Sequence, residues 1–91
     1  MILISYDISN TKLRTKFSKF ITKYGVRIQF SVFEIRNSKR ILDNVMCEIR
    51  NNFERKFQET DSVIIIETSE NCKITKFGYP KHEESDIIIM S

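Results

Sequence analysis

Lys12, Arg14, Lys16, Lys19 and Lys23 crowd into one short stretch of the 91-residue chain, and no acidic residue interrupts them. Cations gathered this way suit phosphate, because each contact with a nucleic-acid backbone releases condensed counterions. Arg14 and Lys16 stand near the start of an expected helix, where free backbone amides add to the attraction, so they lead the candidates for DNA contact. Lys12, Lys19, Lys23 and Arg27 follow, with a merely solvated charged face as the plainer account of them. Asp7, read from the residues alone, closes an apolar run and suits a cap on the helix that follows. No nucleophile accompanied by a base and no glycine-rich phosphate loop is present, and His82 lies in a charged stretch where solvation explains it. Cys47 and Cys72 are too far apart for a CxxC pair and have only one histidine to complete a zinc site, so they read as free cytoplasmic thiols.

The elements that must position these groups follow from periodicity. Ile2, Leu3, Ile4, Tyr6 and Ile8 form a β-rich run that ends in Asp7, Ser9 and Asn10, residues that favour turns and caps. From Lys12 to Tyr24, Leu13, Phe17, Phe20, Ile21 and Tyr24 recur at helical spacing, and Gly25 stands where a C-terminal cap is expected. Val26, Ile28 and Phe30 alternate onto one face, but Val32 is followed directly by Phe33, which predicts a bulge or bend near Ser31 and two short strands. Ser38 caps a second helix with a stripe of Leu42, Val45, Met46, Ile49, Phe53 and Phe57. Val63–Glu67 and Lys73–Phe77 make a hairpin around Glu70 and Asn71, closed by Gly78, Tyr79 and Pro80; a charged linker, Lys81 to Ser85, leads to the apolar Ile87–Met90.

This order gives an α+β domain spanning 1–91, two helices on one antiparallel sheet. Two helices cover only one face, yet Ile2–Ile4, Val63–Ile66 and Ile87–Met90 are apolar on both, so a sheet-to-sheet homodimer is expected. The terminal segment, 81–91, is expected to add a strand to the other subunit. With a net charge of +3 and a pI near 9.0, the chain leans toward an anionic partner. No stretch approaches the roughly 18 apolar residues of a membrane span, and the N-terminus lacks the features of a signal peptide, so a cytoplasmic protein is expected. Phe17, Phe20, Phe53 and Phe57 all lie on core stripes, so no exposed aromatic ladder is foreseen and duplex binding without base reading is favoured.

"YDIS" at Tyr6–Ser9, "YGVRIQFSVFEI" at Tyr24–Ile35, "DSVIII" at Asp61–Ile66 and "FGYP" at Phe77–Pro80 occur in the order seen in the CRISPR-associated protein 2 family, which the chain resembles over nearly its whole length. The resemblance implies a ferredoxin-like βαββαβ unit with an extra C-terminal strand, dimerised through the sheets. It implies a role in spacer acquisition, where the dimer bridges dimers of the CRISPR-associated protein 1 integrase and holds protospacer duplex DNA. It also implies a Mg²⁺ site at Asp7 near the dimer axis, since members are described as magnesium-dependent nucleases on RNA or DNA, and a basic role for Arg14. Gln29, Ser31 and Glu34 are assigned to structure, and Tyr79 and Pro80 to a surface that meets the integrase or the second subunit. The rival readings are an endonuclease using paired Asp7 and a toxin-like RNA interferase; a ligand-sensing module lacks a pocket signature.

Overall fold

A computed structural model of the chain describes residues 1–69 and 71–79. Glu70, Pro80, the linker with His82 and the expected C-terminal strand lie outside the described residues.

The first strand, β1 (Ile2–Asp7), alternates as its sequence dictates: Ile2, Ile4 and Tyr6 are buried, while Leu3 and Ser5 are half-buried and Asp7 is exposed. Helix α1 (Thr11–Thr22) starts at Asn10, whose side-chain carbonyl accepts the Leu13 amide at 2.8 Å. This satisfies one of the amides that a helix start leaves without a partner, and it shows that Asn10, not Asp7, is the cap. The helix buries Leu13, Phe17, Phe20 and Ile21. It ends at Thr22, and Gly25 opens the next strand, β2 (Gly25–Gln29), instead of capping the helix. A Cβ on Gly25 would lie 2.1 Å from the Glu34 carbonyl oxygen, so glycine is needed there for close strand approach.

Strand β3 (Val32–Ile35) pairs with β2, and the register slips between Arg27 and Gln29. The run splits into two strands at a turn through Phe30 and Ser31, as expected, and the register slip at Ile28 adds a bulge that the sequence reading did not place. The slip also corrects the sequence reading of this face. Arg27 pairs with the core residue Phe33 and Gln29 pairs with Val32, so the extra residue reverses the phase and Val26, Ile28 and Phe30 do not share a face.

Ser38 caps α2 (Lys39–Glu48), accepting the Ile41 amide at 3.3 Å. The expected single helix through Phe57 instead loosens into a π turn, Ile49–Phe53, and tightens into a 3₁₀ turn, Glu54–Lys56. The spacing explains it: Val45, Ile49 and Phe53 recur every fourth residue, which drifts off one face of a regular α-helix, and a wider turn brings them back to the core. Val45, Ile49 and Phe53 are all buried.

β4 (Ser62–Glu67) and β5 (Lys73–Gly78) complete an antiparallel sheet in the order β2-β3-β1-β4-β5. Ile4 lies between Phe33 and Ile65 in the register, and these residues with Phe17, Ile21, Val45 and Val63 form the core under the helices. Tyr6, Phe17 and Phe53 meet in it with ring centroids about 5 Å apart, the first pair tilted and the second edge to face. On the opposite face Leu3 sits beside Ile66, and Ser5 beside Ile64, with Ile74 across from Ile66 at the edge. Leu3, Ile64 and Ile66 are half-buried and Ile74 is exposed, so the uncovered face is apolar, as its composition required.

Candidate nucleic-acid interface

On α1 the apolar face is turned to the sheet, which leaves Lys12, Lys16 and Lys19 along the outer face, continued by Lys23 at the C-cap. Their spacing of four, three and four residues keeps them in one stripe. Among the hollows beside it, two also take in residues from other elements. One, of about 390 Å³, is lined by Asn10, Lys12, Lys16, Lys56 and Gln58; Lys56 was not foreseen, because it arrives from the 3₁₀ turn after α2. The other, of about 210 Å³, lies between α1 and the β2–β3 turn, where Tyr6, Arg14, Ser18, Lys19, Arg27 and Phe30 converge.

Arg14 is half-buried. Its guanidinium donates to the Ile8 carbonyl at 3.0 Å and more loosely to the Thr11 hydroxyl at 3.4 Å, so it also holds the chain as it leaves β1. Arg27 is held more firmly: it donates to the Ser18 hydroxyl at 2.7 Å and to the Phe30 carbonyl, and its guanidinium lies 4.9 Å from the centre of the Phe33 ring. A planar cation fixed in this way loses little freedom when an anion arrives. Tyr6 is 5% exposed, packs on Phe17 and Phe33, and lines the same hollow; among the described residues its hydroxyl has no hydrogen-bond partner.

Asp61, which is fully buried, ties the segment after β1 to the turn before β4. Its Oδ1 accepts from the Ser9 amide at 2.9 Å and the Ser9 hydroxyl at 3.0 Å, and its Oδ2 accepts from the Gln58 amide at 2.9 Å. Burial pushes the Asp61 pKa up, but the Gln58 and Ser9 amides and the Ser9 and Thr60 hydroxyls outweigh it and hold the carboxyl below its ordinary 3.8. Gly78 closes the same corner at φ 80°, where a Cβ would lie 2.6 Å from the Asp61 carbonyl oxygen. Its amide donates to Glu54 at 2.9 Å.

Asp7 lies on the other side of the sheet from the cations of α1. The alternation of β1 places it on the uncovered face with Leu3 and Ser5, paired with Ser62, whereas Arg14, Lys16 and Arg27 belong to the helix side. Among the described residues no three His, Cys, Asp or Glu side chains come together to hold a metal ion, and Cys47 and Cys72 are free and exposed.

The profile of the family described as CRISPR associated protein Cas2 matches residues 1–75, which hold Asp7, Arg14, Lys16 and Arg27. The chain belongs to the Cas2 family. A Methanospirillum hungatei protein named CRISPR-associated endoribonuclease Cas2 2 is 30% identical over 90 residues, 97% of each chain. A Rhodospirillum rubrum protein, CRISPR-associated endoribonuclease Cas2 4, is 43% identical over 52% of this chain and 38% of its own length. Among solved structures, the hypothetical protein TT1823 from Thermus thermophilus superposes with a TM-score of 0.64 at 26% identity, over 75% of this chain and 79% of that one. Streptococcus pyogenes Cas2 does so with a TM-score of 0.53 at 19% identity, over 99% and 98%, a likeness of fold. The ferredoxin-like α+β architecture is thereby that of a Cas2 protein. No helix among the described residues is long and apolar enough to cross a membrane.

Proposed function

We propose that this Cas2-family chain acts as a cytoplasmic, DNA-binding dimer in CRISPR spacer acquisition, bridging dimers of the CRISPR-associated protein 1 integrase and holding the protospacer duplex. The observation that carries the nucleic-acid half of this reading is the outer face of α1. Four lysines stand in one stripe, and Arg14, Arg27 and Lys56 extend it on either side. Such a surface grips phosphates of any sequence. The dimer rests on the uncovered sheet face, whose Leu3, Ile64, Ile66 and Ile74 would be shielded by a second copy. The integrase partner rests on family membership. The test is reconstitution: the chain is expected to co-purify with the integrase of its own locus and to be required for insertion of a duplex spacer. Insertion at full rate without it sinks the proposal.

A second reading, magnesium-dependent endoribonuclease activity, is favoured by the names of the curated relatives and by the exposed Asp7. Asp7 from two copies would hold the ion, and bound Mg²⁺ would supply an activated water beside a polarised phosphate. The chain's own part is then to keep an Asp7 carboxylate at the end of β1, on the sheet face opposite Arg14 and Arg27.

A further inference from the structure

Phe30 is 74% exposed, the most exposed large apolar side chain among the described residues, although it follows directly on a strand. It is not a frayed tip. Arg27 donates to the Phe30 carbonyl, and the next carbonyl, of Ser31, accepts the Tyr6 amide at 3.1 Å, so the turn that carries the ring is tied to β1 on one side and β2 on the other. The ring lines the 210 Å³ hollow with Arg14, Ser18, Lys19 and Arg27, its centre 6.0 Å from the Arg27 guanidinium. The buried Tyr6 lines it too, and among the described residues its hydroxyl has no partner. A buried hydroxyl is normally satisfied, so it is available to a ligand's polar edge. Phosphate alone explains the cations but leaves a fixed, exposed aromatic ring and a waiting hydroxyl without use.

We propose that Phe30 is a stacking platform for an unpaired nucleobase, and that the hollow takes a whole nucleotide: phosphate on Arg14, Lys19 and Arg27, base on the Phe30 ring, and a polar edge toward Tyr6. The inference rests on the reading of this face as a nucleic-acid surface and names what it binds beyond a duplex backbone. Stacking accepts any base, since every base has a π-face. A strand with unpaired nucleotides, at a frayed duplex end or free, is therefore the ligand class.

The natural chain has no tryptophan, so Phe30→Trp places one fluorophore on the platform. Three probes with comparable phosphates are titrated: short oligodeoxythymidylate, the same strand with abasic sites, and a blunt duplex. Thymidylate is expected to quench the indole emission of this variant and the other two to leave it unchanged. Phe30→Ala is expected to weaken thymidylate binding about ten-fold, within the range for one stacked base, and to spare the abasic strand and duplex. Oligouridylate in parallel shows whether the sugar matters to the platform. Unquenched emission, or an equal loss on all probes, overturns the stacking role alone. A blue-shifted emission before any probe is added, growing with protein concentration, also overturns it, because a second copy then covers the ring. If the unmodified protein binds none of the probes, the phosphate-binding reading of this face falls as well.

Discussion

On the helix-covered side of the sheet Asp61 and Arg27 are tied down and the lysines of α1 left free, whereas on the other side apolar groups are left without a cover. Asp61 is enclosed by Ser9 and Gln58, Arg27 by Ser18 and the Phe30 carbonyl, while the lysines of α1 point away from the domain. Across the sheet, the half-buried Leu3, Ile64 and Ile66 and the exposed Ile74 have no helix over them, and Asp7 stands at the end of the strand that carries Leu3. A finished surface with fixed cations suits a polyanion that arrives and leaves; an apolar face suits a partner that stays. The two sides are thus built for different kinds of contact, and substitutions that respect the boundary between them should separate assembly from binding.

The largest effect is expected on the open face. Ile64→Lys puts a charge where the second copy is proposed to pack, and burying it unpaired costs more than one apolar contact contributes. Light scattering should show the native chain as a dimer and this variant as a monomer. A variant that stays dimeric moves the interface elsewhere and leaves the apolar face without an occupant.

Next in size is Asp61→Ala, which strips the Ser9 and Gln58 amides of their acceptor inside the domain. Buried donors without partners cost about 2–4 kcal/mol in total, read as a lower urea midpoint. The pH dependence has a definite sign. The Asp61 pKa is held below 3.8, so the carboxylate's contribution is complete above the unfolded value and is lost as pH falls through the lower folded one. Asp61→Asn should therefore lose stability near neutrality and show a flatter acid limb than the native chain. An acid limb identical to the native one would assign acid unfolding to other carboxylates.

Smaller again is Arg14→Ala with Lys16→Ala, confined to the helix side. Lost phosphate contacts should lower the slope of log K against log salt by about one to two, equally for unrelated duplexes. Arg14 also holds the Ile8 carbonyl, so a modest fall of about 1 kcal/mol in stability accompanies the loss of affinity. An unchanged salt slope places the duplex on another surface.

The elements that local pattern controls were legible in the sequence. Leu13, Phe17, Phe20 and Ile21 mark the buried face of α1, Ser38 caps α2, and the doubly apolar strands announce an uncovered apolar face. What was misread depends on a neighbour distant in the chain. Gly25 resembles a helix cap until β3 is laid against it, and Asp7 resembles a cap until Asn10 is seen in that position. Asp61 shows its role only through Ser9, 52 residues away. Phe30 was lost to a regular alternation with Val26 and Ile28 that one inserted residue cancels. A bulge is decided by pairing, and the phase break between Val32 and Phe33 was its one trace in the sequence.

The smallest expected effect on binding, and the sharpest test of the boundary, is Asp7→Ala. Asp7 lies on the open face opposite Ser62, so its removal takes no cation from α1 and no hydrogen bond from Arg14, whose acceptors are Ile8 and Thr11. Duplex affinity and the salt slope should stay within about two-fold of the native values, as for surface changes remote from the contacts. In the dimer the change is different in kind. If the proposed dimer brings two Asp7 carboxylates together, they would repel and a shared Mg²⁺ would offset that repulsion, so the native dimer should be stabilised by added Mg²⁺ and the variant should not. Magnesium-dependent cleavage of RNA or DNA should vanish with the same substitution, while insertion of spacers by the integrase should persist, because positioning the duplex runs through the opposite side of the sheet. The measurement pairs cleavage and insertion on one preparation of soluble, dimeric Asp7→Ala protein. If insertion is lost with cleavage, the division between an assembling face and a binding face does not hold, and Asp7 belongs to the machinery that acts on the nucleic acid.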